Sequence, residues 1–286
     1  MKKKLNIKGH SGCMLDVVET DYGRLMVKKG CKESYTLRLK CQQAKQQAAY
    51  IRNDIINVPY SYWDPYEQCI MMDYIYSDSF IDYFERASTN DIRTITDTLI
   101  KYIDDEIEHS AMTDVNVSIL IDKVKSVKES CKNNDILYIK KTDEYCDHCI
   151  EMLKQLGDTI NIPVGCCHGD LTFSNILFTD ADMWVIDFLD SFIETPLQDI
   201  VKLRQDTVYK WSTMMTDQKY NAAHIYTVLD YIDRCIVEHF KKYDFYIYYD
   251  ILQYINILRI FPYVKEKKVY VRLCDIVDKM IERTTL

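Results

Sequence analysis

An α+β chain with a small antiparallel sheet and one helix at its N-terminal end, followed by a larger and mainly helical part, is the fold class this sequence predicts. Three observations predict it. Short strand-type runs fill roughly the first seventy residues. Helical periodicity dominates from about Asp78 onward. A single two-strand pattern interrupts the helices between Pro163 and Asp187.

In the first part, KLNIKG, CMLDVVET and RLMVKK read as strands, with Asp21, Tyr22 and Gly23 forming the turn between the second and third. Leu37, Cys41, Ala44, Ala48 and Ile51 then recur at three-to-four-residue spacing, so the expected helix packs that face on the sheet. NVPYSYWD and EQCIMMDY are two further strands, the second nearly all apolar up to Asp73, as a strand buried between layers would be. Residues 1–75 are therefore expected to form a small lobe and residues 76–286 a larger one. In the larger lobe the clearest helical patterns are Phe80 to Ala87, Asp91 to His109, Thr142 to Leu156, Leu197 to Tyr209, Ala222 to Phe240 and Tyr248 to Ile260. NILF, the turn TDAD and MWVIDF form the ribbon between them.

Composition narrows the function classes. The 286 residues suffice for a core that holds a buried site. A formal charge of −8 leaves no broad basic face, which argues against a nucleic-acid polymer as partner. Eleven scattered cysteines, and a start that runs from MKKK into polar residues without an apolar core, predict reduced thiols and a cytoplasmic protein. Every apolar segment is interrupted by polar residues, so no membrane span is expected.

The chemistry concentrates in HGDLTFSN. Asp170 and Asn175 stand five positions apart in a loop entering a strand, and Asp187 follows at the end of the next strand. Phosphoryl transfer needs a carboxylate near the acceptor hydroxyl and oxygen ligands that hold Mg²⁺ against phosphates. A hairpin with a ligand at each base brings such groups together. Asp170 then accepts or orients the acceptor's proton, Asn175 and Asp187 bind metal, and His168 orders the loop by hydrogen bonding.

HGDLTFSNILF, WVIDF and PLQDIVKL together resemble the catalytic core of the aminoglycoside phosphotransferase and choline kinase family, over about Val164 to Leu203. The resemblance implies a two-lobed kinase-like fold that uses ATP and Mg²⁺. It implies Asp170 as base, Asn175 and Asp187 as metal ligands, and Asp199 as a brace for the catalytic loop. Gly169 where protein kinases carry Arg, and the lack of an A-P-E segment, point to a small-molecule hydroxyl acceptor. A protein kinase of the same fold, or a nucleotide-binding module without activity, is the alternative.

For the nucleotide, Gly9 to Gly12 form a loop whose Ser11 and Gly12 are candidates to meet the phosphates. LMVK resembles the family strand whose lysine reaches the phosphates. Lys28 is assigned to it, over Lys29, which points to the opposite face. The glutamate that usually pairs with this lysine is absent from the helix, leaving Gln43 or Gln47 at the plausible position. By resemblance, adenine sits at the link between lobes, with Met72 packing on it and backbone at Asp73 and Ile75 on its edge. RLKCQQAKQQ further resembles uncharacterised phosphotransferases of bacterial surface-polysaccharide synthesis.

Two features are read as structural. Cys146 and Cys149 lie in a helical pattern without a second pair, and the run Asp104, Asp105, Glu106, Glu108 reads as a solvent face. For the acceptor, a Tyr and Trp cage for a quaternary ammonium and the carboxylates of Asp190 and Glu194 for an amine or sugar stay equally open.

Overall fold

The fold is that of a computed structural model, which describes residues 2–7, 13–180 and 182–284. The candidate phosphate loop with Ser11 and Gly12 lies outside the described residues. The N-terminal part is a five-stranded antiparallel sheet built from β1 (Lys2–Ile7), β2 (Met14–Glu19), β3 (Leu25–Gly30), β4 (Ser61–Asp64) and β5 (Cys69–Asp73), in the order β1-β2-β3-β5-β4. Between β3 and β4 runs α1 (Thr36–Arg52). At the β2–β3 turn Gly23 has φ +77°, which a side chain rarely adopts.

The helix α1 turns a different face inward from the one its apolar spacing predicts. Leu37 and Ile51 are about three-quarters exposed (76% and 75%), and Cys41, Ala44 and Ala48 also face solvent. The buried positions are Leu39, Gln42, Gln46 and Ala49. Two glutamines belong inside because the sheet offers them partners: Lys29 Nζ donates to Gln42 Oε1 at 3.2 Å, and Gln46 Nε2 donates to Pro59 O at 3.1 Å. Satisfied amides can be buried at little cost, and hydrophobic spacing alone does not register them.

The second part is mainly helical: α2 (Phe80–Arg86), α3 (Thr89–Glu108), α4 (Val117–Cys131), α5 (Ile139–Lys154), α6 (Pro196–Thr207), α7 (Trp211–Met214), α8 (Ala222–Phe240), α9 (Tyr249–Leu258) and α10 (Lys267–Thr284). Ser88 caps α3 in a reciprocal capping box with Asp91, and Thr195 caps α6 ahead of Pro196. Two ribbons are set among the helices. One pairs β6 (Ala111–Asn116) with β7 (Thr159–Val164), and the expected one pairs β8 (Ile176–Phe178) with β9 (Met183–Val185). The first ribbon, α4, α7 and α10 are additions to the sequence reading. The core runs through α3, α5, α6, α8 and α9, with Leu99, Leu153, Leu197, Leu229 and Ile255 fully buried.

In the acidic run on α3 only Glu108 is exposed to solvent as expected. Asp104 accepts from Tyr243 Oη at 2.8 Å and pairs with His239, Asp105 faces Arg52 at 3.6 Å, and Glu106 is buried. Cys146 and Cys149 are buried thiols in α5, all eleven cysteines are free, and no metal-binding cluster of His, Cys, Asp and Glu exists among the described residues. No helix among the described residues is long and apolar enough to cross a membrane.

Candidate active site

The catalytic loop is held from below by one face of α6. Asp199, Lys202 and Asp206 recur at spacings of three and four residues, so they stack along a single stripe of the helix. Asp199 accepts the backbone N–H groups of His168 and Gly169, the latter at 2.8 Å. Lys202 Nζ lies 2.9 Å from Asp170 Oδ1. Asp206 accepts from Phe173 N at 2.7 Å and from Ser212 N and Oγ at 2.8 and 2.9 Å. Three charged side chains of one helix thus fix the loop's beginning, middle and end.

His168 is a buried strut. Its Nδ1 accepts the Asp170 N–H at 3.2 Å, its Nε2 donates to Ile186 O at 2.9 Å, and its ring lies 4.2 Å from that of Phe188. Burial holds its pKa below the ordinary histidine value, so the ring is neutral, as this donor and acceptor pair requires.

Asp170 and Asn175 meet directly. Asn175 Nδ2 donates to Asp170 O at 2.8 Å and to Asp170 Oδ2 at 3.1 Å, leaving the amide oxygen as a free acceptor type. Burial on its own would raise the Asp170 pKa. The Lys202 ammonium and the Asn175 amide outweigh it and hold the carboxyl below the usual range. Ile186 N–H donates to Asn175 O at 3.0 Å, and Asp187 is the next residue along the chain from that contact. Asp187 has φ +69°, a left-handed conformation that costs a non-glycine residue about 1–2 kcal/mol. Such strain persists only where the surroundings hold it, and it clusters at functional sites.

Gly169 has a steric reason. Its φ is +87°, and a Cβ there would lie 2.2 Å from Leu189 O and 3.2 Å from Lys45 Nζ. The catalytic loop and the segment after Asp187 approach too closely for any side chain, and Leu189 N–H donates to His168 O at 3.0 Å across the contact.

The lysine assignment from sequence is corrected. Lys28 pairs with Glu67 on the other face of the sheet, away from the loop. Lys29 is only 3% exposed and pairs with Asp187 Oδ1 while donating to Gln42. Alternation along β3 decides this, because the face that α1 covers carries Lys29. The neutral partner on the helix is Gln42, whereas Gln43 donates to Ser61 O at 3.2 Å. A second cation of α1, Lys45, donates to Leu189 O at 2.6 Å and pairs with Glu194 at 2.5 Å. Arg38 pairs with Asp190 at 3.1 Å. Asp190 and Glu194 are each paired with a cation of α1, Asp190 in a pair half-exposed on both sides.

At the link, Met72 is buried against α1, with Gln46 Nε2 4.0 Å from its sulfur. Asp73 N–H donates to Tyr60 O at 3.1 Å and its carboxylate pairs with Arg24 at 2.6 Å, while Tyr74 N–H reaches Leu25 O at 3.4 Å. The backbone donor at Asp73 is used within the sheet. Ile75 comes after this pairing ends, and its C=O accepts from Ser77 Oγ at 3.4 Å.

Behind the loop, Glu106 of α3 sits against Asp199, both wholly buried. Burial and the Asp199 charge push Glu106 far above the carboxylate range, and we place the pair's single proton on it. Burial also pushes Asp206 up, to about 6. Lys202, Asp206 and Gln42 escaped the sequence reading, which named Lys29 and Glu106 but gave neither a place at the site. Only the α6 stripe left a signal, in the spacing of Asp199, Lys202 and Asp206.

Residues 125–233 match the model of a phosphotransferase enzyme family, a stretch that includes the whole catalytic loop and α6. No curated protein sequence matches the chain. Among solved structures, the gentamicin complex of APH(2")-IIa is 12% identical with a TM-score of 0.60, over 93% of this chain and 87% of that one. Choline kinase LicA from Streptococcus pneumoniae is 14% identical with a TM-score of 0.58, over 99% and 95%. A glucosamine kinase in complex with glucosamine, ADP and phosphate is 11% identical with a TM-score of 0.58, over 100% and 96%. The expected resemblance to aminoglycoside phosphotransferases and choline kinases is borne out, in the family model over residues 125–233 and in the fold shared with the solved structures. The chain has the two-lobed fold of small-molecule kinases, and its candidate catalytic segment is similar to the phosphotransferase enzyme family.

Proposed function

We propose that this chain transfers the γ-phosphoryl group of ATP to a hydroxyl of a small molecule. One observation carries the reading most: Asp170, Asn175, Asp187 and Lys29 form a connected group, drawn from both parts of the fold. Residues 1–75 serve as the nucleotide lobe and residues 76–286 as the catalytic and acceptor lobe.

In this reading the acceptor oxygen forms a bond to the γ-phosphorus, the bond from that phosphorus to the β–γ bridging oxygen breaks, and ADP leaves. The hydroxyl proton passes to Asp170. Lys202 keeps Asp170 ionised and positioned. The Asn175 amide oxygen and the Asp187 carboxylate are hard oxygen donors of the kind Mg²⁺ takes, with phosphates and water completing the shell. The ion supplies neutralisation of charge on the phosphates. Lys29, in place of Lys28, faces the phosphates, and Gln42 orients it as a neutral partner. Adenine lies against the link at Met72, Asp73 and Ile75, with the Ile75 backbone the better placed of the two edges because the Asp73 N–H is occupied. Ser11 and Gly12 cover the phosphates. Free thiols throughout suit a cytoplasmic setting.

The test is nucleotide consumption and phosphoryl transfer with Mg-ATP across an acceptor panel. Asp187→Ala is expected to abolish transfer. Asp170→Asn should lower turnover by roughly 10²–10⁴, the range for a general base. Wild-type rates in both variants would end the assignment. A second reading, a nucleotide-binding module without turnover, draws on the neutral Gln42 opposite Lys29. It predicts thermal stabilisation by Mg-ATP with no transfer to any acceptor.

A further inference from the structure

Within electrostatic reach of Asp170 stands a group of cations that the phosphate chemistry does not use. Arg259, the residue that ends α9, places its guanidinium carbon 5.1 Å from the centre of the Phe192 ring. Lys123 of α4 places its Nζ 5.8 Å from the same ring. Arg38 stands close enough to depress both, and its own partner is Asp190. The Arg259 Nη1 is shut off from solvent without a hydrogen-bond partner among the described residues. Neither Arg259 nor Lys123 has a carboxylate within 4.0 Å among those residues.

A desolvated, unpaired cation is costly. Burial lowers the pKa of both groups from their ordinary values, and the Arg259 and Arg38 charges lower that of Lys123 further. The backbone that carries Arg259 is fixed. Asn134 Nδ2 donates to the carbonyls of Phe261, Pro262 and Val264 at 3.4, 3.2 and 2.9 Å, pinning the turn that follows Arg259 to the end of α4. The Asp170 charge is the principal one that favours Arg259, so the guanidinium sits within electrostatic reach of the proposed base. In a chain of net charge −8, two unpaired cations around one aromatic ring beside that base form a built anion site.

We infer that the acceptor carries an acidic group, a carboxylate or a phosphate, which binds between Arg259 and Lys123 over Phe192 while its hydroxyl meets Asp170. The inference rests on the kinase reading above and narrows its acceptor. It sets this chain apart from structural neighbours whose ligands are the amines gentamicin and glucosamine. Arginine's planar fork suits either anion.

Matched acceptors test it: glycerol against glycerate and glycerol 3-phosphate, and galactose against galactosamine and galacturonate, each with Mg-ATP. Acidic members should exceed their neutral and cationic counterparts at least tenfold in kcat/KM, and the carboxylate and phosphate arms separate the two anions. Arg259→Gln should raise KM for the preferred acidic acceptor at least tenfold and flatten the preference, whereas Arg259→Lys should restore part of it. Equal or better use of the neutral or cationic members overturns the inference while leaving the kinase reading intact. So does failure of every acidic member to be phosphorylated, or to bind in calorimetry with a non-hydrolysable ATP analogue, by a protein that binds Mg-ATP. Failure to bind Mg-ATP at all strikes the kinase reading itself.

Discussion

The two walls of the candidate cleft are built on opposite principles. Below, α6 grips the catalytic loop with Asp199, Lys202 and Asp206, each satisfied by groups of the same helical part. Above, Lys29 of β3 has a neutral amide on its own side and finds its counter-charge only across the cleft, on Asp187. The lower wall is organised before any ligand arrives. The upper wall depends on the lower one for the orientation of its cation. In the proposed reading, Lys29 exchanges Asp187 for the phosphates when nucleotide binds, and placing the base is separate from gathering the nucleotide.

That contrast breaks most sharply at the adjacent lysines. Lys29→Met should cut kcat/KM for ATP by roughly 10²–10³, the scale of losing one preorganised electrostatic contact. Lys28→Met removes only a partly exposed pair with Glu67 and should leave the value within about twofold. The opposite ranking in steady-state kinetics would return the role to Lys28. Next in size is Asp206→Ala on the lower wall, which strands the Phe173 and Ser212 N–H groups. We expect a loss of about 2–4 kcal/mol in urea unfolding at pH 8, since each buried donor left unpaired costs roughly 1–3 kcal/mol. A loss below about 0.5 kcal/mol would mean that the loop does not depend on α6.

Much of the lower wall was legible in the sequence because phosphoryl transfer prescribes residue types at fixed intervals. Asp170, Asn175, Asp187 and the brace Asp199 all sit where the HGDLTFSN, WVIDF and PLQDIVKL strings set them. The upper wall was legible only in outline. Its strands and helix were readable, but the inward face of α1 was not, because Gln42 and Gln46 replace apolar residues there and only the tertiary partners Lys29 and Pro59 reveal why. Lys28 and Lys29 differ by one position on a strand, and nothing local fixes which face meets the helix. Asp104, Asp105 and Glu106 looked solvated for a related reason: their partners Tyr243, His239, Arg52 and Asp199 come from distant segments.

Lys202 sharpens the comparison through pH. Its ammonium holds the Asp170 pKa down, so the base stays ionised as pH falls. Lys202→Met should move the acid limb of the kcat/KM profile upward, with a loss at neutral pH smaller than that of Asp170→Asn. An unmoved limb would mean that the 2.9 Å pair does not tune the base.

How the lower wall tolerates its own buried charge shows in the pH dependence of stability. Glu106 is held protonated against Asp199, so its folded pKa lies above its unfolded one. As pH rises above the unfolded value, the unfolded chain releases this proton while the folded chain keeps it. Stability is therefore fully present at low pH and falls as pH climbs, by about 1.4 kcal/mol per pH unit while only the folded state holds the proton. Glu106→Gln keeps a neutral side chain of the same shape beside Asp199 and removes the titration. Unfolding curves should nearly coincide with wild type at pH 5, and the variant should be the more stable at pH 8. A gap that does not widen with pH, or one of opposite sign, would place the proton on Asp199 and leave the His168 and Gly169 N–H groups facing a neutral acid, which would make the brace far weaker than the rest of α6 implies.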